Sequence, residues 1–305
     1  MSSIAFDTEI ILSSGIRLAA PLAFAALGEY VAERAGCLNI SVEAMMLGAA
    51  FGSVALASAT GSASLGLLAG MVIGLVIALV HANLSHRAEI NTFVVGLVLN
   101  ALVLGLTSYL IATSQFDGHQ VAQLSVPGLR DIPMIGQPLF VERWPAYLLL
   151  GLIPLTWWLV ERSRWGLELR AVGENPAAAD VTGIHVNRRR RQAMLWCGAL
   201  AGLGGAYLAV GEVGSFNQNM TAGRGYIVIA AVIFGAWRLG RTLLGCALFG
   251  LADALRLALP ALGVTLNSQL LAAAPYLLAL LAMLIFVAKS REPRALAQPF
   301  ERGAA

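Results

Sequence analysis

A series of nine apolar segments, separated by more polar stretches, constrains this sequence more than any other feature. A helix of about 20 residues crosses the hydrocarbon core of a bilayer, and within that core the backbone must satisfy its own hydrogen bonds. The alternation of apolar and polar residues typical of barrel strands is absent. The sequence therefore predicts an all-α fold, a polytopic transmembrane helical bundle of about nine or ten membrane segments. The segments lie at residues 10–27, 37–59, 63–83, 90–112, 144–160, 192–212, 225–237, 242–260 and 269–288.

The composition excludes the other common classes of chain. Apolar residues make up 58% of the 305 residues and charged residues 12%, whereas soluble proteins average about 45–50% and about 25%. A soluble domain, a disordered chain and a coiled coil all need more polar residues than this. We predict a single transmembrane domain over residues 1–305 that contacts membrane lipid and binds no nucleic acid.

Two local patterns refine this prediction. The seventh segment is too short to span a bilayer comfortably and begins at Gly223-Arg224-Gly225, which predicts a broken or re-entrant helix.

Small residues recur at four-residue spacing in three segments, and such stripes let helices approach closely. They indicate either helix packing within one bundle or a seam between two copies. The stripes are Gly48 and Gly52; Gly66, Gly70 and Gly74; and Gly198 and Gly202.

The distribution of basic residues predicts the orientation. If the N-terminus lies outside and the segments alternate, fifteen of the twenty Lys and Arg residues fall in inner loops and three in outer loops. Inner loops carry the excess of positive charge in membrane proteins. We therefore place the N-terminus outside, and the C-terminus and the four consecutive arginines at residues 188–191 in the cytoplasm.

The usual motifs for nucleotide and metal chemistry are absent from the sequence. A Walker A loop needs Lys directly after Gly, and no Gly-Lys pair occurs. Cys37, Cys197 and Cys246 are far apart, and the four histidines lack the spacing of metal ligands. We predict no catalytic residue, no metal site and no cofactor, and therefore no enzymatic activity in this chain.

Residues 162–191 form a polar loop that carries seven of the inner arginines. Within it, Asn175 is a favourable N-cap residue, Pro176 suits the first helical position, and Gly183 suits the position after a helix. We predict a helix of about two turns from Pro176 to Thr182, outside the membrane. Such a helix is either a docking site for a cytoplasmic partner or a plain connector, and the residues alone leave both open.

Three blocks of the sequence form a specific combination. Residues 36–47 read Gly-Cys-Leu-Asn-Ile-Ser-Val-Glu-Ala-Met-Met-Leu, and residues 168–184 read Glu-Leu-Arg-Ala-Val-Gly-Glu-Asn-Pro-Ala-Ala-Ala-Asp-Val-Thr-Gly-Ile. The third block, within residues 223–235, contains Gly-Arg-Gly-Tyr-Ile and Ala-Ala-Val-Ile-Phe-Gly. Together they resemble the ABC importer permeases that serve branched-chain amino acids, simple sugars and nucleosides. The sequence looks closest to the shorter permease of nucleoside importers linked to a basic membrane lipoprotein, although Ala44 stands where the family usually has Gly.

The resemblance implies a mechanism and a set of partners. Two permease subunits would form the pathway, and the second is expected to be a paralogue rather than another copy of this chain. An ABC ATPase subunit would dock inside and supply the energy, and an extracytoplasmic solute-binding lipoprotein would deliver a nucleoside or simple sugar. The chain would be a multi-pass protein of a prokaryotic cell membrane. The residues expected to couple it to the ATPase are Gly173, Glu174, Asn175, Pro176, Ala177, Ala178, Ala179, Asp180 and Gly183.

Polar residues inside the apolar segments are candidates for substrate binding. Asn39 and Glu43 are four residues apart and are expected to share a helix face, while Asn91 and Asn100 lie at the start and middle of the fourth segment. Each of these side chains either binds solute hydroxyls or a base edge, or makes a structural hydrogen bond to a neighbouring helix.

Charged residues in the segments bear on an alternative function. An ion-coupled secondary transporter for a small polar solute would need carboxylates inside the membrane, and Glu43 and Asp253 are the candidates. Asp253 is also expected to pair with Arg256, three residues later on the same helix. Arg224 is expected at a solvated outer rim or at the contact with the solute-binding protein.

Overall fold

The structure, a computed structural model, describes residues 3–125, 127–128, 132, 136–261, 273, 277 and 292–300. The apolar segment predicted at residues 269–288 lies outside these residues except at two isolated positions. The elements in chain order are α1 (Ser3–Arg34), α2 (Val42–Thr60), α3 (Ala63–His86), α4 (Thr92–Thr113), β1 (Gln123–Ser125), α5 (Gly136–Phe140), β2 (Val141–Arg143), a 3₁₀ turn (Trp144–Tyr147), α6 (Leu148–Glu161), α7 (Arg164–Glu174), α8 (Pro176–Val181), α9 (Val186–Ala206), a π-helical segment (Tyr207–Val213), α10 (Arg224–Phe234) and α11 (Leu239–Ala261). Strands β1 and β2 pair antiparallel, with Leu124 opposite Glu142.

Six helices of the described chain are long and apolar enough to cross a membrane, which confirms the all-α polytopic prediction. The short seventh segment forms α10, whose 11 residues reach about 16 Å, half of a bilayer core. The fifth segment is divided between the 3₁₀ turn and α6, a helix of 14 residues with Pro154 inside it. The six long helices are Glu9–Arg34, Val42–Thr60, Ala63–His86, Thr92–Thr113, Val186–Val213 and Leu239–Leu259.

The end of α1 and the start of α2 differ from the prediction. The first apolar segment was expected to end at residue 27, but α1 continues to Arg34, because the carboxylates of Glu29 and Glu33 are fully buried with hydrogen-bond partners from distant parts of the chain. A turn follows, with Gly36 at φ 82°, and α2 begins only at Val42. Asn39 therefore lies before α2, and the prediction that it shares a helix face with Glu43 is wrong.

Glycine stripes join α3 to α9 inside this one chain. A Cβ on Gly74 would lie 2.7 Å from the Cα of Gly202, and a Cβ on Gly70 would lie 2.5 Å from the side chain of Ala206. A Cβ on Gly48, on α2, would lie 2.9 Å from the Ile77 side chain of α3. The stripes therefore serve helix packing within the bundle, the first of the two interpretations, because only backbones without side chains approach so closely.

The bundle has two distinct ends. At one end the Ala295 N–H donates to the Gly173 carbonyl at 2.9 Å, so residues 292–300 lie beside α7 and α8. At the opposite end the β1–β2 hairpin packs on the π-helical segment, where the Val121 N–H donates to the Val210 carbonyl at 2.9 Å. Between the ends, Leu27, Met45, Met194 and Val228 belong to a buried apolar core.

Candidate coupling helix and solute pathway

The capped helix predicted from the sequence is present as α8. The Asn175 side chain accepts a hydrogen bond from the Ala178 N–H at 3.0 Å. Pro176 is the first helical residue, and the helix ends at Val181, one residue before its predicted end. Gly183 has φ 88°, a conformation that glycine adopts without strain. These local interactions define a helix that is too short to be stable alone.

One face of α8 packs on the protein and the other faces outward. Ala179 is 4% exposed and packs with Val172 and Val186. Ala178 is exposed, and Val181 is 89% exposed. The outward face of α8 is thus small and apolar, and its inner face is packed on the protein. Such a projection has the shape and chemistry to fit a cleft of another protein.

The preceding helix, α7, fixes α8 to the membrane helices. Arg170 pairs with Glu161 at the end of α6 at 2.9 Å. The Arg189 Nε on α9 donates to Glu168 Oε2 at 2.6 Å. Gly173 packs directly against the backbone at the end of α1, with no room for a side chain. The helix that precedes α8 therefore contacts α1, α6 and α9.

The Glu43 carboxylate holds the start of the half-length helix α10. It is 7% exposed and accepts hydrogen bonds from the Thr221 hydroxyl at 2.6 Å, the Gly223 N–H at 2.8 Å and the Gly225 N–H at 2.6 Å. A negative charge at a helix N-terminus satisfies free N–H groups and interacts favourably with the helix dipole. A Cβ on Gly225 would lie 2.6 Å from the Cα of Glu43, so the close contact needs glycine there.

The charged residues beside α10 also pair with one another. Asp253 accepts from Arg256 Nε at 2.9 Å, which confirms the expected pair, and from Arg224 Nη2 at 2.9 Å. Arg224 Nη1 in addition donates to the Met220 carbonyl at 3.1 Å. Arg224 is therefore a half-buried partner of Asp253 rather than a free residue of an outer rim.

Asn100 links three elements. Its Oδ1 accepts from the Ala44 N–H at 2.9 Å, and its Nδ2 donates to the Ile40 carbonyl at 3.0 Å and to the Tyr226 hydroxyl at 2.9 Å. Asn100 is half-buried, and Tyr226 is 45% exposed. The structure thus places Asn100 beside the first turn of α2, the turn that contains Glu43. Tyr226 lies on the exposed side of Asn100.

Asn39 belongs to a buried polar network. It is fully buried, and its N–H donates to Glu29 Oε1 at 3.2 Å. Its side chain donates to the Cys197 thiol at 3.2 Å and accepts from the Ser41 hydroxyl at 2.7 Å. Ser41 also contacts His81 Nδ1 at 2.7 Å. These contacts favour a structural role for Asn39.

Asn91 is separate from the other three candidates. Its Oδ1 accepts from the Phe93 N–H at 2.9 Å and the Val94 N–H at 3.4 Å, so it is the N-cap of α4. An N-cap satisfies backbone donors that a helix leaves free at its start.

Sequence reasoning missed two intramembrane carboxylates. Glu29 accepts from the Cys197 thiol at 3.2 Å, and the Trp237 indole donates to Glu33 at 2.6 Å. Glu29 and Glu33 are both fully buried. Their four-residue spacing was the available signal, but two charged residues after an apolar run read as the end of a segment.

A second missed group is the polar run between the π-helical segment and α10. Asn217, Gln218 and Asn219 are exposed, although they lie between two apolar helices. Gln218 Nε2 donates to the Ser108 hydroxyl of α4 at 3.2 Å. Together with Tyr226 they give this side of the bundle amide, hydroxyl and aromatic groups without net charge.

Electrostatics is unusual at the hairpin end. Glu142 on β2 is 3% exposed, and both carboxylate oxygens lack hydrogen-bond partners among the described residues. Burial, reinforced by the nearby Glu212 carboxylate, raises the pKa of Glu142 from 4.5 to about 7, and Arg17 opposes this shift.

Within the part of the chain that the structure describes, no group of three or more acidic, His or Cys side chains is placed to hold a metal ion.

Comparison with known proteins identifies the class of this chain. A family model described as the permease component of a branched-chain amino acid transport system matches residues 11–288. The nucleoside ABC transporter permease protein NupC of Lactococcus lactis subsp. cremoris is 33% identical over 302 residues, which cover 94% of this chain and 95% of that protein. The guanosine ABC transporter permease protein NupQ of Bacillus subtilis is 32% identical over 309 residues, with coverages of 96% and 97%.

A third relative has a name that indicates a sugar. The putative glucose ABC transporter permease protein TsgC13 of Haloferax volcanii is 35% identical over 262 residues, which cover 84% of this chain and 80% of that protein. The family match spans most of the chain, and a permease component agrees with a bundle of helices long and apolar enough to cross a membrane. The chain is therefore an ABC transporter permease subunit and belongs to the family of permease components of branched-chain amino acid transport systems.

Proposed function

We propose that this chain is the permease through which a nucleoside or a simple sugar is imported, driven by a separate ATPase. The names of the relatives supply the solute classes, which are nucleoside, guanosine and glucose. The charged residues around α10 are engaged with one another or with backbone N–H groups. The groups left on the exposed side are amides, hydroxyls and a phenol, which suit a neutral polar solute.

The observation that carries the proposal is the geometry of α8. We assign residues 173–183 as the element that inserts into the ATPase, with Ala177, Ala178 and Val181 as the outward contact face. The contacts of α7 with α1, α6 and α9 support this assignment, because they connect the projection to three helices of the bundle, of which α1 and α9 are long enough to cross a membrane. Energy enters from another chain, in agreement with the absence of a Walker A loop from the sequence.

The same geometry bears on orientation. We propose that the end carrying α7, α8 and residues 292–300 faces the cytoplasm of a prokaryotic cell and that the N-terminus lies outside. The seven arginines of residues 162–191 favour this side. We further propose that the pathway forms against a second, paralogous permease and that a lipoprotein delivers the solute at the hairpin end.

Within the pathway, we assign direct solute contacts to Tyr226 and Gln218, whereas Asn100 holds the Tyr226 hydroxyl in place. Tyr226 can stack on a base or a sugar ring, and the Gln218 amide can donate to and accept from hydroxyls. For Asn39, Glu43 and Asn91 the hydrogen bonds favour positioning roles, since their polar groups are used by the protein.

Reconstituted transport tests the proposal. The permease, its paralogue, the ATPase and the lipoprotein are placed in proteoliposomes that enclose ATP, and uptake of labelled guanosine, adenosine and ribose is followed. We expect uptake only with ATP and all subunits. Gln218→Ala should raise the KM several-fold, whereas Gln137→Ala, an exposed glutamine of α5, should leave it unchanged. Uptake driven by an ion gradient without the ATPase would contradict the proposal and favour a secondary transporter.

A further inference from the structure

A cavity of about 140 Å³ lies at the end of the bundle that carries α8. It is enclosed by the turn at residues 36–38, the end of α3 with its turn to α4 at residues 85–92, the start of α9 and residues 297–299. None of the pathway residues Asn100, Tyr226 and Gln218 lines it. Any role of this cavity is therefore separate from the proposed solute pathway.

Arg190 is the unusual residue of this cavity. It lines the cavity and is only 1% exposed. Its Nη1 donates to the Gln298 carbonyl at 2.8 Å, but Nε and Nη2 have no hydrogen-bond partner among the described residues. An arginine stays charged in proteins, and a buried charge without a partner is strongly unfavourable. The arrangement calls for a negatively charged group at the free edge of the guanidinium.

Neighbouring groups favour an anion at the same place. Ser85 is 8% exposed and lines the cavity, and its hydroxyl also lacks a partner within the described part of the chain. His86 lines the cavity too, and the positive charges of both Arg190 and Arg191 act on its ring. Glu89, a carboxylate of the cavity wall, is exposed to solvent, so its charge is screened.

We propose that this cavity binds a phosphate-type oxyanion, held by Nε and Nη2 of Arg190 and by the Ser85 hydroxyl. The Nε–Nη2 edge presents two parallel N–H groups that match two oxygens of a phosphate. The volume of about 140 Å³ is well below the roughly 300–1,000 Å³ of pockets that enclose a whole ligand. The site therefore takes one phosphate group, either of a small molecule or of a lipid headgroup.

The bound anion would act on the support of α8. Residues 297–299 line the cavity on one side, and the Ala297 N–H donates to the Gly36 carbonyl at 3.1 Å. Ala295 donates to Gly173, two residues before the cap of α8. An anion on Arg190 thus stabilises the contact between the C-terminal segment, the turn after α1 and the end of α7.

Phosphate binding to the purified full-length protein tests the site. Inorganic phosphate is titrated against the protein in detergent, with binding followed by calorimetry and by the melting temperature. We expect saturable binding that raises the melting temperature, and at least a tenfold weaker Kd in Arg190→Gln. Arg188→Gln, an exposed arginine of the same helix, should bind like the wild type.

Two further variants keep the result interpretable. If Arg190→Gln does not fold, Ser85→Ala should still fold and weaken binding several-fold. Glu301→Gln tests whether a carboxylate of this chain occupies the site, since Glu301 is the next acidic residue after the described segment. A tenfold gain in phosphate affinity in Glu301→Gln would overturn the proposal. Equal phosphate binding by the wild type and Arg190→Gln would also overturn it. So would the absence of both saturable phosphate binding and retained lipid in the wild type.

Native mass spectrometry separates the two sources of phosphate. The protein is extracted from bilayers of phosphatidylglycerol, and the lipid that remains bound is counted. Lipid retained by the wild type and lost in Arg190→Gln assigns the site to a headgroup. Phosphate binding without retained lipid assigns it to a free phosphate compound.

Discussion

The contact between Glu43 and the start of α10 gives a prediction that can be worked out from the structure. Glu43→Ala removes the acceptor of the Thr221 hydroxyl and of the Gly223 and Gly225 N–H groups. The two N–H groups then lie partly or fully buried without a partner, because the small alanine side chain offers none. Glu43→Gln keeps one oxygen acceptor but turns an NH₂ group toward a remaining donor.

The magnitude follows from the number of bonds lost. A hydrogen bond to a charged group contributes about 1.5–3 kcal/mol, and an unsatisfied buried donor costs about 1–3 kcal/mol. Part of this loss of stability is offset in Glu43→Ala. The variant no longer buries a charge, and the Thr221 hydroxyl can turn to another acceptor. We expect Glu43→Ala to destabilise the start of α10 by about 2–4 kcal/mol, and Glu43→Gln by about half as much.

Hydrogen exchange measures this local stability directly. At 1.4 kcal/mol per tenfold change, the amides of residues 223–227 should exchange about 30- to 700-fold faster in Glu43→Ala. Glu89→Gln changes an exposed carboxylate and should leave the same amides unaffected. Unchanged exchange at residues 223–227 in Glu43→Ala would refute the assignment of Glu43 as the anchor of α10.

Three further predictions address other parts of the molecule. Ala178→Asp places a charge on the exposed face of α8 and should abolish co-purification with the ATPase, whereas Ala178→Ser should not; retention of the ATPase by Ala178→Asp would place docking elsewhere. Gly74→Leu should lower the melting temperature strongly or prevent folding, because Gly202 leaves no room for a side chain, whereas Gly105→Ala, with open space around its Cβ, should be neutral; equal melting temperatures would contradict the seam. The folded-state pKa of Glu142 is raised to about 7. The stability that the protonated Glu142 contributes is therefore fully present below about pH 4.5 and is lost as the pH rises through about 7. We expect Glu142→Gln to be more stable than the wild type at pH 8, by about 3 kcal/mol at most. Thermal unfolding from pH 5 to 8 checks this, and parallel pH profiles of the two proteins would refute it.

Local signals made part of the structure predictable from the sequence. The α8 helix was found because Asn175, Pro176 and Gly183 act within a few residues of one another. The short α10 was found because its apolar run is brief and follows Gly223. In both cases the information that fixes the backbone lies inside the segment itself.

Contacts between distant segments were not predictable in the same way. Glu43 and Gly225 are 182 residues apart, and no pattern near either of them indicates the other. Glu29 and Glu33 resemble a segment boundary because the hydropathy of α1 does not show that Cys197 and Trp237 supply their hydrogen bonds. Asn39 was placed on a helix face because periodicity gives no signal for the turn that follows Gly36.

The tight backbone seam between α3 and α9 limits how the permease can change shape. Gly74 and Gly202 leave no gap into which one helix could slide past the other. We therefore expect α3 and α9 to move together as one rigid unit. Since α9 is joined to α7 by Arg189 and Glu168, we expect a displacement of α8 to reach α3 through α7 and α9. We therefore expect the helices to move relative to one another during transport at contacts other than the one between α3 and α9.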